Sequence, residues 1–171
     1  MNLRHALPTL LLVLALPAAH AGDYALADGG VHFSAPSEWS AIMEKTEGDP
    51  QFIAFQVHDP SPSASNSLAR VTVSVRRIAN DATFAQYVQD QMAHAKGMSG
   101  YQPGAAAPTL NRHDYTAVES KVHYSYSERY YHKGKLAVQL RCVRPEASQA
   151  GPAWTAAFDR GCDDVAVSLQ Q

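Results

Sequence analysis

The pattern of apolar and polar positions divides residues 22–171 into short alternating runs and two stretches of helical period. Val71, Val73 and Val75 alternate with Thr72, Ser74 and Arg76, the period-two signature of a strand with one buried face. Upstream, the run VHFS from Val31, the stretch from Trp39 to Lys45 and the run FIAFQV from Phe52 to Val57 predict three more strands. Pro36 and Gly48-Asp49-Pro50 separate them. The segment from Asp59 to Ser67 is expected to be a polar loop with nothing to bury. Phe84, Tyr87, Val88, Met92 and Ala95 then recur every three or four residues, between a cap at Asn80 or Asp81 and a stop at Gly97. This spacing predicts an amphipathic helix of about four turns.

After a Gly/Pro/Ala-rich loop from Ser99 to Pro108, alternation returns from Tyr115 to Tyr131 and reads as one long strand. Thr116, Val118, Val122, Tyr124 and Tyr126 fall on one face, and Glu119, Lys121, His123 and Arg129 on the other. His132-Lys133-Gly134-Lys135 makes a turn. The return strand sets Leu136, Val138, Leu140 and Cys142 on its buried face, with Gln139 and Arg141 opposite. Gly151-Pro152 opens a last helix carrying Trp154, Phe158, Cys162, Val165 and Leu169 at helical spacing. Gly161 lowers its propensity by about 1 kcal/mol, which suits a helix pressed closely on the sheet.

Residues 1–21 follow a different logic. Arg4 and His5 precede the apolar run from Leu10 to Leu16, and Ala19-His20-Ala21 closes it, which predicts a secretory signal peptide cleaved after Ala21. The stretch from Ala6 to Ala19 contains Pro8 and Pro17 and is too short to cross about 30 Å of hydrocarbon. Residues 22–171 are therefore expected to form one exported domain, periplasmic or secreted, with no membrane insertion after cleavage. Loss of Arg4 moves the formal net charge from −2 to −3, which leaves no phosphate-neutralising excess and argues against nucleic acid as a partner.

The two cysteines, Cys142 and Cys162, both take core-facing positions in their elements, so a structural disulfide between them is expected, worth about 3 kcal/mol. The competing readings are a thiolate at Cys142, activated by Arg141 and Arg144, and two unpaired buried thiols. The histidines show no metal-binding pair, and no metal or cofactor is expected. His113-Asp114 is adjacent in sequence, so the two side chains point apart, and a solvated turn is expected. Gly97-Met98-Ser99-Gly100 lacks one residue of a nucleophile elbow and follows a helix. Neither Glu44 with Glu47 nor Asp163 with Asp164 has the spacing of a glycosidase pair.

The order of these elements resembles the PsbP-like fold. The resemblance rests on the opening VHFSAPSEW, the strand-to-helix segment RVTVSVRRIANDATFAQYVQDQM, the segment from Tyr115 to Val143 and the C-terminal helix to Leu169. It implies an α+β single domain, an antiparallel sheet flanked by helices in an α/β/α sandwich. It also implies the roles found among such proteins: accessory subunits, chaperones of secreted effectors and immunity proteins. The resulting expectation is a non-catalytic periplasmic protein-binding module, immunity-type or effector-binding, and not an enzyme. The alternative is an envelope accessory or small-ligand-binding protein. Aromatic and arginine residues are enriched at interfaces, so His123, Arg129 and Tyr131, continuing into His132 and Lys133, form the expected partner-binding surface. This locally basic end would attract an acidic protein surface.

Overall fold

In the computed structural model, which describes residues 21–62 and 67–171, Val71, Val73 and Val75 lie buried in the middle of an antiparallel sheet. In chain order the described elements are β1 (Ala21–Leu26), β2 (Val31–Pro36), β3 (Ser40–Lys45), β4 (Gln51–Val57), β5 (Ala69–Arg77), α1 (Asp81–Lys96), β6 (Gln102–Pro103), β7 (Arg112–Glu119), β8 (Val122–Lys133), β9 (Leu136–Pro145) and α2 (Gly151–Ser168). The sheet runs β3-β4-β5-β9-β8-β7-β6, while β1 and β2 form a separate hairpin. The expected export segment lies outside the described residues apart from Ala21, and so do residues 63–66 of the expected polar loop. No helix among the described residues is long and apolar enough to cross a membrane.

The two faces of the sheet are covered by different elements. On one, α2 and the β1–β2 hairpin close a continuous core: Phe33, Trp39, Phe55, the three valines of β5, Val138, Leu140, Phe158, Val165 and Leu169. Cys142 and Cys162 are joined by a disulfide inside this layer, staplingβ9 to α2. On the other face, α1 buries Phe84 and Val88 against Tyr130 and Ala137, and Ala95 against Tyr115, Ala117, Tyr124 and Tyr126. This is the helix-flanked antiparallel α+β arrangement that the element order predicts.

Local chemistry explains the helix boundaries. Asn80 caps α1 by accepting from the Thr83 backbone N–H at 3.1 Å, and the Thr83 hydroxyl accepts from the Asn80 N–H at 2.8 Å, so two of the orphan donors are satisfied. Gly97 receives the chain at the other end. In α2, Pro152 occupies the first turn. A Cβ on Gly161 would stand 2.5 Å from Trp39 Cζ2 and 3.3 Å from Pro36 Cγ, so the close approach is to Trp39 and Pro36 rather than to the sheet itself.

Four expectations are corrected. The stretch from Tyr115 to Tyr131 is not one strand but parts of β7 and β8, joined by a tight turn at Ser120 and Lys121 with φ of 48° and 70°. The turn changes the face of the first half: Tyr115 and Ala117 stand with Tyr126 and Tyr124, and Thr116 pairs with Ser125 on the opposite side. β1 is an additional strand that its composition did not announce. His113 is not in a solvated turn but buried, although its side chain and that of Asp114 do point to opposite faces. Asp59 and Ser61 are also buried: Asp59 accepts from Ser61 N–H at 2.9 Å and from the Ser148 hydroxyl at 2.7 Å.

Candidate functional site

The residues expected to bind a partner do not form one patch. His123 is exposed near the far end of β8, 3.9 Å from Glu146. Arg129, expected to be exposed, is half-buried and bonded to Asp163 of α2. Tyr131 packs against the main core and donates its hydroxyl to the Ala166 carbonyl at 3.3 Å, so it too is tied to α2. His132 points to the α1 side, stacked on Phe84 with ring centroids 5.0 Å apart and 3.2 Å from Asp81. Only the tip, with Lys133 and Lys135, keeps the character expected of it.

That tip acquires neighbours that the linear reading could not place beside it. Arg77 pairs in register with Leu136 and Arg76 with Ala137, and Ile78 N–H donates to the Lys135 carbonyl at 2.9 Å. Two β5 arginines thus join His132, Lys133 and Lys135 at one corner, where Asp49 accepts from the Arg77 N–H at 3.0 Å and Asp81 approaches His132, so the charges there are mixed. Arg77 lies 3.7 Å from Asp28, whereas Arg76 has no carboxylate partner among the described residues and stands over the Tyr87 ring at 5.7 Å. Arg76, Arg77, Ile78 and Tyr87, with Thr83, Gln86 and Asp90, line a cleft of about 390 Å³ between α1 and the sheet.

The cleft opens onto a half of the sheet that neither helix covers. The apolar stripe of α1 rests on β7, β8 and β9, and α2 lies on the opposite face. On the uncovered side β5 presents Thr72, Ser74 and Arg76, β4 presents Phe52, Ala54 and Gln56, and β3 presents Met43 and Lys45 in register with them. Met43 is 57% exposed and the adjacent Ile42 48%. Arginine-rimmed sheet with unburied apolar side chains is a composition suited to contact with another macromolecule.

A buried polar network fixes the boundary between the covered and open halves. Glu128 is fully buried; its Oε1 accepts from Tyr115 Oη at 2.9 Å and from Arg141 Nε at 2.7 Å, and its other oxygen accepts from the Tyr130 hydroxyl. Burial opposes the Arg141 charge, but Glu128 beside it wins and holds the guanidinium pKa above its ordinary value. Burial and the same carboxylate push Tyr115 and Tyr130 upwards, so both remain hydroxyl donors. Nearer the open half, both Glu119 oxygens accept from Arg70 Nη2 at 2.7 Å, and Tyr126 donates to the same group. Burial would raise the Glu119 pKa; the Tyr126 and Arg70 bonds outweigh it and bring it below the usual carboxylate value. Arg70 and Arg141 are thereby held in place with their charges largely balanced, whereas Arg76 has no such carboxylate among the described residues.

A second cleft, of about 240 Å³, lies between α2 and the β7–β8 side of the sheet, beside the disulfide. Three ion pairs surround it: Arg112 with Asp114, Arg129 with Asp163, and Arg144 with Asp159. Asp114 Oδ1 and Ser127 Oγ are shielded there without a hydrogen-bond partner. Among the described residues no group of three or more metal-ligating side chains comes together.

The sequence matches no family model. No curated protein matches it. Solved structures are nevertheless similar in shape. LpqN of Mycobacterium tuberculosis, involved in cell envelope biogenesis, aligns with a TM-score of 0.55 at 12% identity over 90% of each chain. The Ran-binding protein Mog1p of Saccharomyces cerevisiae aligns with a TM-score of 0.51 at 11% identity, over 88% of this chain and 95% of that one. The cyanobacterial PsbP of Synechocystis gives a TM-score of 0.48 at 11% identity, over 94% of this chain and 96% of that one. Identities this low speak for architecture and not for activity. The likeness to LpqN and Mog1p shows the fold, the PsbP-like one, which this chain adopts.

Proposed function

We propose that this chain is an exported, non-catalytic protein-binding module of immunity or effector-binding type, whose partner docks on the cleft beside Arg76 and on the open half of the sheet. The observation that carries this reading is the uncovered face of β3, β4 and β5, where Met43, Phe52 and Ala54 lie beside Arg76. An arginine next to apolar surface is a typical interface anchor. Arg76, with no carboxylate partner among the described residues, would receive an acidic group of the partner. The signal segment over residues 1–21 and the disulfide both support export.

The test is a pull-down from periplasmic extract with the wild-type chain and with Arg76→Glu. A stoichiometric protein retained by the wild type and weakened about tenfold or more by the charge reversal supports the reading. Equal retention by both chains contradicts it. A second reading, an envelope accessory or small-ligand-binding protein, draws on the polar cleft beside the disulfide and its two unpartnered oxygens. It predicts a co-purifying small molecule that is lost on Asp114→Asn.

A further inference from the structure

The two edges of the sheet are built differently. At one edge β6 is two residues long and ends on Pro103, which has no N–H to offer. At the other, β3 presents six exposed residues, contains no proline and has β4 as its neighbour in the sheet. Among the described residues its outward backbone groups make no hydrogen bond. A bulge between Ala41 and Met43 disturbs only the start of the strand. Met43, Glu44 and Lys45 stand in regular register with Ala54, Ile53 and Phe52.

We infer that β3 is a docking edge for an extended segment of the partner protein, one carrying an acidic, a basic and an apolar residue in succession. The inference rests on the docking reading above and names its chemistry. Every strand pairing in the sheet is antiparallel. A strand added in the same sense places its first residue opposite Lys45, the next opposite Glu44 and the third opposite Met43. Cross-strand complementarity then selects a carboxylate, a cation and an apolar side chain in that order. The carboxylate and the apolar residue share the face that bears Phe52 and Arg76, so the added strand extends the open surface. Main-chain hydrogen bonds supply the attachment, and the alternating side chains supply the selectivity.

The experiment is amide hydrogen exchange on the full exported chain, with a short acetylated peptide, Thr-Val-Glu-Lys-Val-Thr, and its charge-swapped counterpart, Thr-Val-Lys-Glu-Val-Thr. The first is expected to slow exchange across Met43–Lys45 about tenfold at saturation, and the second to need about fivefold more peptide for the same effect. The double variant Glu44→Lys, Lys45→Glu changes only exposed side chains and should invert this preference. Absence of protection in β3, or the same order of preference in wild type and variant, overturns the inference. So does protection of β3 that grows with protein concentration alone, because a second copy then occupies the edge. If β3 stays unprotected while the wild-type chain retains its partner and Arg76→Glu does not, the edge assignment fails and the docking reading stands.

Discussion

Glu128 is a buried carboxylate on which three other side chains depend, Arg141, Tyr115 and Tyr130. Glu128→Ala should lower stability by about 3 kcal/mol, because it strands a guanidinium and two phenols with no acceptor. Denaturant unfolding of Glu128→Ala, Arg141→Ala and the double variant checks this: the double loss should fall well short of the sum of the singles. His113 offers a pH test. Its burial depresses the imidazole pKa below the ordinary 6.5, so the unfolded chain takes up the proton first as pH falls. The contribution of a neutral His113 is fully present above about pH 6.5 and is lost progressively below it. His113→Gln should flatten the fall in stability between about pH 7 and pH 5; an unchanged slope would remove His113 as its cause.

Among the elements, α2 is positioned by its tightest contact. Gly161→Ala gains about 1 kcal/mol in helix propensity but drives a methyl group into the buried Trp39 ring, and such overpacking costs about 1–3 kcal/mol. The predicted result is a net loss of about 1 kcal/mol by thermal or denaturant unfolding. The alternating valines of β5, the cap and stop of α1, and the core parity of Cys142 and Cys162 were all legible in the sequence, because each follows from periodicity or a capping residue. The β7–β8 turn was not. Ser120 and Lys121 adopt positive φ without the Gly or Asn that usually marks such a turn, and alternation runs straight through it. Missing that turn hid His113. The burial of Glu128 was available from parity alone, since it falls between Tyr126 and Tyr130 on the same face. The open face was out of reach of any one-dimensional pattern: it exists because α1 covers β7, β8 and β9, reaches β5 only through Tyr87 beside Arg76, and leaves β3 and β4 bare.

At the scale of the whole molecule, residues 22–171 carry a net charge of −3, and Arg76 stands beside the uncovered sheet without a carboxylate partner among the described residues. Charge placed this way affects encounter rate more than fold stability. Export itself is checked by intact mass: the mature chain should begin at Gly22 and weigh two hydrogens less than its reduced form, whereas an intact Met1 would contradict it. The central claim is that a partner sits on the open half of the sheet. Its most direct test is site-specific photo-crosslinking in living cells, with a photoreactive phenylalanine analogue at Phe52 on that face or at Val167, which is 58% exposed on α2. A discrete adduct from position 52 and none from position 167 is the predicted result. An adduct from position 167 alone, or none from either position, would contradict it.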